Sequence, residues 1–409
     1  LPRYSLRARN NEFNLNNLKV GIDEAHAQGK LFYVVSNIYP HNSKVKTFLN
    51  DLEPILACQP DALIMADPGL IMMVKDKWPE TEIHLSVQSN VVNYASVNFW
   101  QRMGISRIIL SRELSLKEVA EIRGECPSME LEVFVHGALC MAYSGRCMLS
   151  GYLNRRDANQ GVCTNACRWK YQTAPAKEDL WGNSYKDDQC CQAPQQSGIT
   201  EKTLIVAEER HSENQMTMTE DEHGTYIMNS KDLRAIHLVE RLYKMGVDCF
   251  KIEGRTKSHY YVARTAQLYR QAIDDAIAGR PFNMELIDSL EGLANRGYTE
   301  GLYRRHVFDE YQNYEHGSSQ CNKQKFVGEI NQYDKAKGMA EIEVKNRFSV
   351  GDKIEVMLPT GNIVKQIDRM QNMRGDNIEV APGSGHIVKV ALELEHDCVD
   401  YGLLIQHIS

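Results

Sequence analysis

A chain of 409 residues is long enough for more than one hydrophobic core, so at least two domains are expected. Its 43% hydrophobic and 25% charged residues are ordinary for a globular protein, and no apolar run approaches the roughly 20 residues of a membrane-spanning helix. The net charge of −7 argues against nucleic-acid binding through bulk charge alone.

The chain enters at Leu1 in what reads as an element already under way, so a truncated amino terminus is expected. Lys30-Leu-Phe-Tyr-Val-Val-Ser-Asn37 is a continuous apolar run that suits a buried parallel strand. Val45, Phe48, Leu49, Leu52 and Leu56 then repeat at helical spacing. Further short strands are expected at Ala62–Ala66, Ile83–Val87 and Arg107–Leu110. Ser115-Leu-Lys-Glu118 predicts a capping box opening a helix through Val119 and Ile122. Leu131–Val135 is the strand that leads to His136 and a cysteine-rich loop.

That loop holds Cys140, Cys147, Cys163 and Cys167 in the spacing C-x6-C-x15-C-x3-C. Four thiolates match the needs of a [4Fe–4S] cluster, one soft sulfur ligand per iron. Buried packing cysteines, disulfides and a four-cysteine zinc site are the alternatives. No secretory signal stands at the start, and a chain this long builds a core without disulfide staples. Zinc ligands usually arrive as C-x2-C pairs, which are absent from this stretch. Iron–sulfur is therefore the expected cofactor, in a cytoplasmic protein. Residues 140–170 carry Arg146, Arg155, Arg156, Arg168 and Lys170 against Asp157, a local positive field suited to phosphates or an acidic small molecule. Incidental surface arginines would read the same way.

Residues 172–222 hold eleven acids and four bases, which accounts for the whole net charge. They are rich in Gln, Ser, Glu and Asp without sustained periodicity, and a partly mobile insertion outside the core is expected there. Order resumes with a strand at Thr225–Met228, a helix capped by Asn229 or Ser230 through Leu233, Ile236 and Val239, and a strand at Cys249–Ile252. A helix from Val262 to Ala276 stops at Gly279 before Pro281. From Phe326 onward short alternating strands (Phe326–Ile330, Met339–Val344, Lys353–Met357, Ile387–Ala391) predict a small all-β barrel domain.

Seven strands mostly alternating with helices predict an α/β chain built on a TIM-like (β/α) barrel, incomplete at its N-terminus, with an open doubly wound sheet as the alternative. The expected division is 1–171 for the first part of the barrel with its cysteine loop and 172–222 for the acidic insertion. Residues 223–322 would complete the barrel with a helical segment, and 323–409 would form the β-barrel. In such a barrel the strand C-termini mark the active face. There stand Asn37, Asp67, Gln88, Arg112, Glu113, His136, Asn229, Lys231, Glu253 and Arg255. Polar residues begin loops in any protein, and Arg112 with Glu113 or Glu253 with Arg255 also suit structural ion pairs.

The stretch Glu132–Ser150 reads E-x-F-x-x-G-A-L-C-x4-G-x-C-x-L-S and resembles the signature of the collagenase-like peptidases of family U32. The similarity extends through Arg3-Tyr-Ser-Leu-Arg7, Asn229-Ser-Lys-Asp-Leu-Arg234 and Lys251-Ile-Glu-Gly-Arg255. It implies a [4Fe–4S] cluster on Cys140, Cys147, Cys163 and Cys167, and hydroxylation of the wobble uridine of tRNA to 5-hydroxyuridine with prephenate as hydroxyl source. Other branches of the family imply quinone or ribosomal RNA as alternative substrates. Under this reading His136, Arg112 and Glu113 are candidate catalytic groups, and Gln88, Arg146, Asn229, Glu253 and Arg255 contact substrate. Arg112, Arg146 and Arg255 suit bidentate clamping of the dicarboxylate, and His136 suits acid–base work near neutral pH. The anticodon loop is already single-stranded, so its uridine enters a pocket at modest cost. The family's peptidase label finds less support: no H-E-x-x-H and no G-x-S-x-G occurs. His136 and Cys140 keep a thiol–imidazole pair open, but four clustered cysteines exceed what one nucleophile needs. A zinc-stapled RNA-binding or scaffold protein is the third class. The oligomeric state is not legible in the sequence.

Overall fold

Tyr33–Ser36 (β1), Ala62–Met65 (β2), Ile83–Leu85 (β3), Arg107–Ile109 (β4) and Glu130–Ala138 (β5) lie side by side in chain order, each pair parallel. The computed structural model describes residues 3–5, 13–139, 232–254, 257–293, 297–304, 324–394 and 401–407, together with the backbone of strands at 171–178, 184–186, 202–208, 211–221 and 224–225. β2 is buried at all four positions, and a strand covered on both faces takes the unbroken apolar run Ala-Leu-Ile-Met.

Helix Leu15–Ala27 (α1) precedes the sheet, and Asn42–Leu56 (α2), Pro68–Lys77 (α3), Tyr94–Arg102 (α4) and Leu116–Glu125 (α5) connect its strands. In α2, Phe48, Leu52 and Ile55 form the buried stripe that helical spacing demands. Asp67 caps α3: its Oδ1 accepts from Leu70 N at 2.8 Å, with Pro68 in the first turn. The capping box of Ser115 and Glu118 opens α5 as the sequence predicts.

The insertion differs from expectation. Tyr171–Glu178 (β6), Ser184–Lys186 (β7), Lys202–Glu208 (β8), His211–Asp221 (β9) and Gly224–Thr225 (β10) pair antiparallel into one five-stranded sheet; no regular element was expected over 172–222, while Thr225 of β10 opens the strand expected at Thr225–Met228. The acidic, Gln-rich composition obscured Thr-Leu-Ile-Val (203–206) and Met-Thr-Met-Thr (216–219), whose β-branched residues favour strands.

A second correction concerns residues 232–239. Asp232–Arg234 is a strand (β11) rather than helix; it runs antiparallel to β5, and helical turns begin only at Ile236, continuing as Val239–Lys244 (α6). Cys249–Ile252 (β12) adds in parallel to β5, and Tyr298–Thr299 (β13) pairs in parallel with β11. Among the described residues no pairing joins β1 to the far end, and the β5–β11 pair is antiparallel. The protein is thus mixed α/β on a largely parallel sheet, and the TIM-like barrel expected from the sequence is not confirmed.

Two compact units emerge: Leu1–Thr256 with Ala272–Phe282 and Arg296–Ser318, and Lys257–Gln271 with Asn283–Asn295 and Ser319–Ser409. The second is all-β apart from its helical segments. It contains Gln324–Asp334 (β14), Met339–Val344 (β15), Phe348–Ser349 (β16), Lys353–Leu358 (β17) and Gly361–Gln366 (β18). Met370–Gln371 (β19), Val380–Ala381 (β20), Ile387–Ala391 (β21) and Leu403–His407 (β22) complete it. Seven of these strands form an antiparallel sheet in the order β18-β17-β22-β14-β15-β21-β19. Alternate positions such as Ile342, Val344, Ile354, Val356, Val388, Val390 and Leu404 fill its core. The first part of helix His259–Ile277 (α7) belongs to this unit, where Arg264 forms a bidentate pair with buried Glu355. Among the described residues no helix is long and apolar enough to cross a membrane.

Candidate functional site

Period-two alternation along β5 sends Glu130, Glu132, Phe134 and His136 to one face of the sheet. Register brings Arg107 of β4 opposite Glu130, and Cys249 and Lys251 of β12 opposite Glu132 and Phe134. The result is a layered polar face inside the first unit.

The lower layer is built on Glu132, whose side chain is only 3% exposed. Its carboxylate meets Lys251 Nζ at 2.5 Å and Arg107 Nη1 at 3.7 Å, while Arg107 also binds Glu130 at 2.7 Å. A carboxylate this deep is tolerable because both cations compensate its lost hydration. Tyr33 packs edge-on to His84 at 4.6 Å between ring centroids and receives an Arg107 N–H at 3.4 Å. Burial, reinforced by the nearby Arg107 charge, holds the His84 imidazole below its ordinary range, so it stays neutral near pH 7. Burial and then the Glu132 charge push the Cys249 thiol up to about 12, which keeps it protonated.

The upper layer lies towards the carboxyl end of β5. The Arg112 guanidinium sits 3.7 Å over the Phe134 ring, with Lys251 Nζ at 5.8 Å. Tyr303 donates its hydroxyl to the Phe134 carbonyl at 2.5 Å, and burial raises that phenol further above its usual range. His136 is fully buried, its ring centroid 5.5 Å from that of Tyr298, and the Arg234 guanidinium lies 4.6 Å over Tyr298. The His136 carbonyl accepts from Glu253 N at 2.9 Å, and Glu253 Oε2 accepts from Ala138 N at 3.1 Å. Glu253 thereby fastens the end of β5 just before the cysteine stretch.

Gln88 and Glu113 occupy neighbouring turns. Gln88 lies in the turn Val87–Ser89 directly after β3; its side chain is buried and its carbonyl accepts from Tyr39 OH at 2.8 Å. Glu113 accepts from the Ser111 hydroxyl, which also lies 2.8 Å from Asn90 Oδ1. Asn37 donates to Ser86 Oγ at 3.0 Å, and Asp67 serves as a helix cap.

The structure therefore brings Arg112, His136 and Glu253 to one strand end, with Gln88 and Glu113 on the turns that follow β3 and β4. Cys140, Arg146, Cys147, Cys163, Cys167, Asn229, Lys231 and Arg255 lie outside the described residues. Among the described residues no group of three or more His, Cys, Asp or Glu side chains is arranged to hold a metal ion. Sequence reasoning missed Arg107, Glu132, Phe134, Arg234, Lys251, Tyr298 and Tyr303. Only the alternation Glu132-Phe134-His136 gave a signal, placing three chemically distinct side chains on one face of a strand.

The description "Peptidase family U32" matches residues 1–313, and "Peptidase family U32 C-terminal domain" matches residues 322–405. The chain belongs to peptidase family U32. It is 58% identical to the tRNA hydroxylation protein P of Escherichia coli (strain K12), covering 100% of this chain and 91% of that protein. The tRNA hydroxylation protein P of Haemophilus influenzae (strain ATCC 51907 / DSM 11121 / KW20 / Rd) is 56% identical, over 100% of this chain and 90% of its own length. Among solved structures, the C-terminal domain of a putative U32 peptidase from Geobacillus thermoleovorans matches at 23% identity and a TM-score of 0.19, covering 21% of this chain and 93% of that domain.

Proposed function

We propose that this protein is a cytoplasmic tRNA hydroxylase that converts the wobble uridine to 5-hydroxyuridine, with prephenate supplying the hydroxyl group. The observation that carries the reading is the similarity, end to end, to two proteins named for tRNA hydroxylation. The fold reading that accompanies it is a (β/α) barrel whose strand C-termini form the substrate mouth.

Cys140, Cys147, Cys163 and Cys167 offer four thiolates, a donor set that fits a [4Fe–4S] cluster. When bound, such a cluster supplies redox-active iron. The chain's own residues do the remaining work. Arg112, its guanidinium 3.7 Å over the Phe134 ring, is a candidate to clamp a carboxylate, with Arg146 and Arg255 as further arginines of the dicarboxylate clamp. His136, four residues before Cys140 in the sequence and with its ring 5.5 Å from that of Tyr298, is the candidate acid–base group. Glu113 orients groups at the mouth, and Gln88 and Asn229 contact the base. Glu253 fixes the strand end from which the cysteine stretch departs.

The test is mass spectrometry of tRNA nucleosides from cells lacking this gene, complemented with the wild-type chain or with Cys163→Ala. Loss of 5-hydroxyuridine derivatives, restored by wild type and not by the variant, is the expected result. Unaltered tRNA nucleosides in the deletion and the complemented strains alike would overturn it and turn attention to quinone, ribosomal RNA and peptide substrates. Arg146→Ala should weaken the prephenate dependence; unchanged hydroxylation would remove Arg146 from the clamp.

A further inference from the structure

The side chains beside His136 repeat one arrangement twice. The Arg112 guanidinium lies 3.7 Å over the Phe134 ring, and the Arg234 guanidinium lies 4.6 Å over the Tyr298 ring. Both units are tied to β5. Phe134 and His136 point to the same face of that strand, and the Tyr298 ring packs against the His136 imidazole at 5.5 Å between centroids. Register sets Arg234 opposite His136, so its side chain leaves β11 on that same face. Backbone bonds hold the second unit in place: Asp232 N donates to the Gly297 carbonyl at 2.9 Å, and Ala235 N to the Val135 carbonyl at 2.8 Å. Glu300, two residues after Tyr298, is engaged by His237 at 2.6 Å and by Arg304 at 3.1 Å.

Stacking holds a guanidinium flat and uses none of its five N–H donors, which lie in the plane and project from its rim. That rim matches one carboxylate, and two such rims match two. Phe134 and His136 are two residues apart, about 7 Å along a strand, so the two units are anchored side by side at one strand end. The spacing suits two carboxylates of one small molecule better than the two oxygens of one group. Burial sets the size of the occupant. Arg112, Arg234 and Tyr298 are each only partly exposed, and His136, which joins the units, is fully buried. A phosphodiester backbone needs a more open surface than this.

We propose that Arg112 and Arg234 are the two arms of a binding site for a small dicarboxylate, each held flat by its ring and gripping one carboxylate. Arg234 thereby joins the substrate-binding residues, with Tyr298 as its support. The site stands on its own geometry; that its occupant is the hydroxyl donor rests on the function proposed above.

The test is isothermal titration calorimetry of the full chain, purified without oxygen, with prephenate and with phenylpyruvate, which lacks the ring carboxylate. Wild type should bind prephenate more tightly than phenylpyruvate. Arg234→Gln and Arg112→Gln should each bind prephenate about tenfold to a hundredfold more weakly, the loss expected for a charged hydrogen-bonding partner. Phenylpyruvate divides the two arms: the variant lacking the arm for the missing carboxylate should bind it as wild type does, and the other more weakly. Arg234→Lys keeps the charge without the planar fork and should also bind prephenate more weakly than wild type. Arg102→Gln, at the exposed end of α4, removes a charge elsewhere in the unit and should change neither affinity. Melting temperatures check folding, and if Arg234→Gln unfolds, Arg234→Lys carries the test. Prephenate affinity equal to wild type in any folded variant of either arm would overturn the proposal, including the case in which Arg234 serves a tRNA phosphate. Equal losses of both ligands in both glutamine variants would mean one shared carboxylate and would also overturn it. A wild-type chain that binds no prephenate removes the site together with the donor. The gene-deletion cells separate the two readings. Restored 5-hydroxyuridine with unaltered prephenate binding by Arg234→Gln sinks the second arm and leaves the function. Arg234-dependent prephenate binding with unaltered tRNA nucleosides in the deletion sinks the function and leaves the site.

Discussion

Gly137 and Glu253 approach so closely that residue 137 has no room for a side chain: an ideal Cβ there would lie 2.1 Å from the Glu253 carbonyl oxygen. Its φ of +107° adds a second constraint, because L side chains avoid that conformation. The clash is with backbone, so no rotamer change relieves it. The close passage lets Glu253 N and Oε2 hold both sides of the glycine, at His136 and Ala138.

Gly137→Ala is therefore expected to destabilise the first unit by more than about 1 kcal/mol, since the strain adds to displaced hydrogen bonds. Urea unfolding measures this directly. Under the cluster proposed for the cysteine stretch, iron and sulfide analysis of the purified variant should show a loss beyond that of an equally destabilised core variant such as Leu131→Ala. Equal loss in the two would remove Gly137 from cofactor positioning.

Glu132 is the buried negative charge that lets Arg107 and Lys251 share one sheet face. Glu132→Ala leaves both cations without their common partner. The expected cost is roughly 2 kcal/mol, below the 3–5 of a fully buried pair because Lys251 keeps partial access to water. Glu132→Leu combined with Lys251→Leu should recover a large part of that loss. Denaturant titration of the two variants decides it; a double variant less stable than Glu132→Ala would contradict the compensation argument.

His84 gives the first unit an acid sensitivity. Its folded pKa lies below the unfolded value, so the folded state resists protonation and the unfolded state gains it first. Stability is complete above about pH 6.5, the unfolded value, and declines as pH falls towards the lower folded value. His84→Phe preserves an aromatic contact for Tyr33 and should flatten this decline. Parallel pH–stability curves for wild type and variant between pH 7 and 5 would show that His84 is not the group responsible.

Much of the architecture was legible because burial leaves simple patterns. β2 reads as a continuous apolar run since both its faces are covered, and Met339–Val344 and Ile387–Ala391 read as alternating since one face is. Ser115 and Glu118 announced α5 because a capping box is a local device. β11 was hidden for the opposite reason. Three residues with one apolar side chain become a strand only because β5 and β13 offer them backbone partners, and Leu233, Ile236 and Val239 happen to repeat at helical spacing. The same distance problem hid the site: Arg234, Tyr298 and His136 come from three separate strands, and nothing local in the sequence links them. Arg112, His136 and Glu253 stood out in the sequence as candidates because each directly follows or ends an apolar run.

In the second unit the buried pair of Arg264 and Glu355 makes the last prediction. Burial alone would raise the Glu355 carboxyl, but the Arg264 charge, with hydrogen bonds from His407 and Arg264, outweighs it and holds the group below the usual carboxylate range. Asn362 also donates to Glu355 Oε1 at 2.7 Å, so the ionised form is fully surrounded by donors. A depressed folded pKa contributes stability that is present above about pH 4.5 and is lost as pH falls through the folded value. Glu355→Gln keeps the shape but removes the charge, leaving the Arg264 guanidinium buried against a neutral amide. At pH 7 it should destabilise the unit by about 3 kcal/mol. The difference between wild type and variant should then shrink steadily below pH 4.5, as the wild-type carboxylate is itself protonated. Hydrogen exchange of the Lys353–Leu358 amides, compared between the two proteins at matched pH, reads out this unit directly. A difference that stays constant down to pH 3 would mean that the ionised carboxylate contributes nothing beyond its shape.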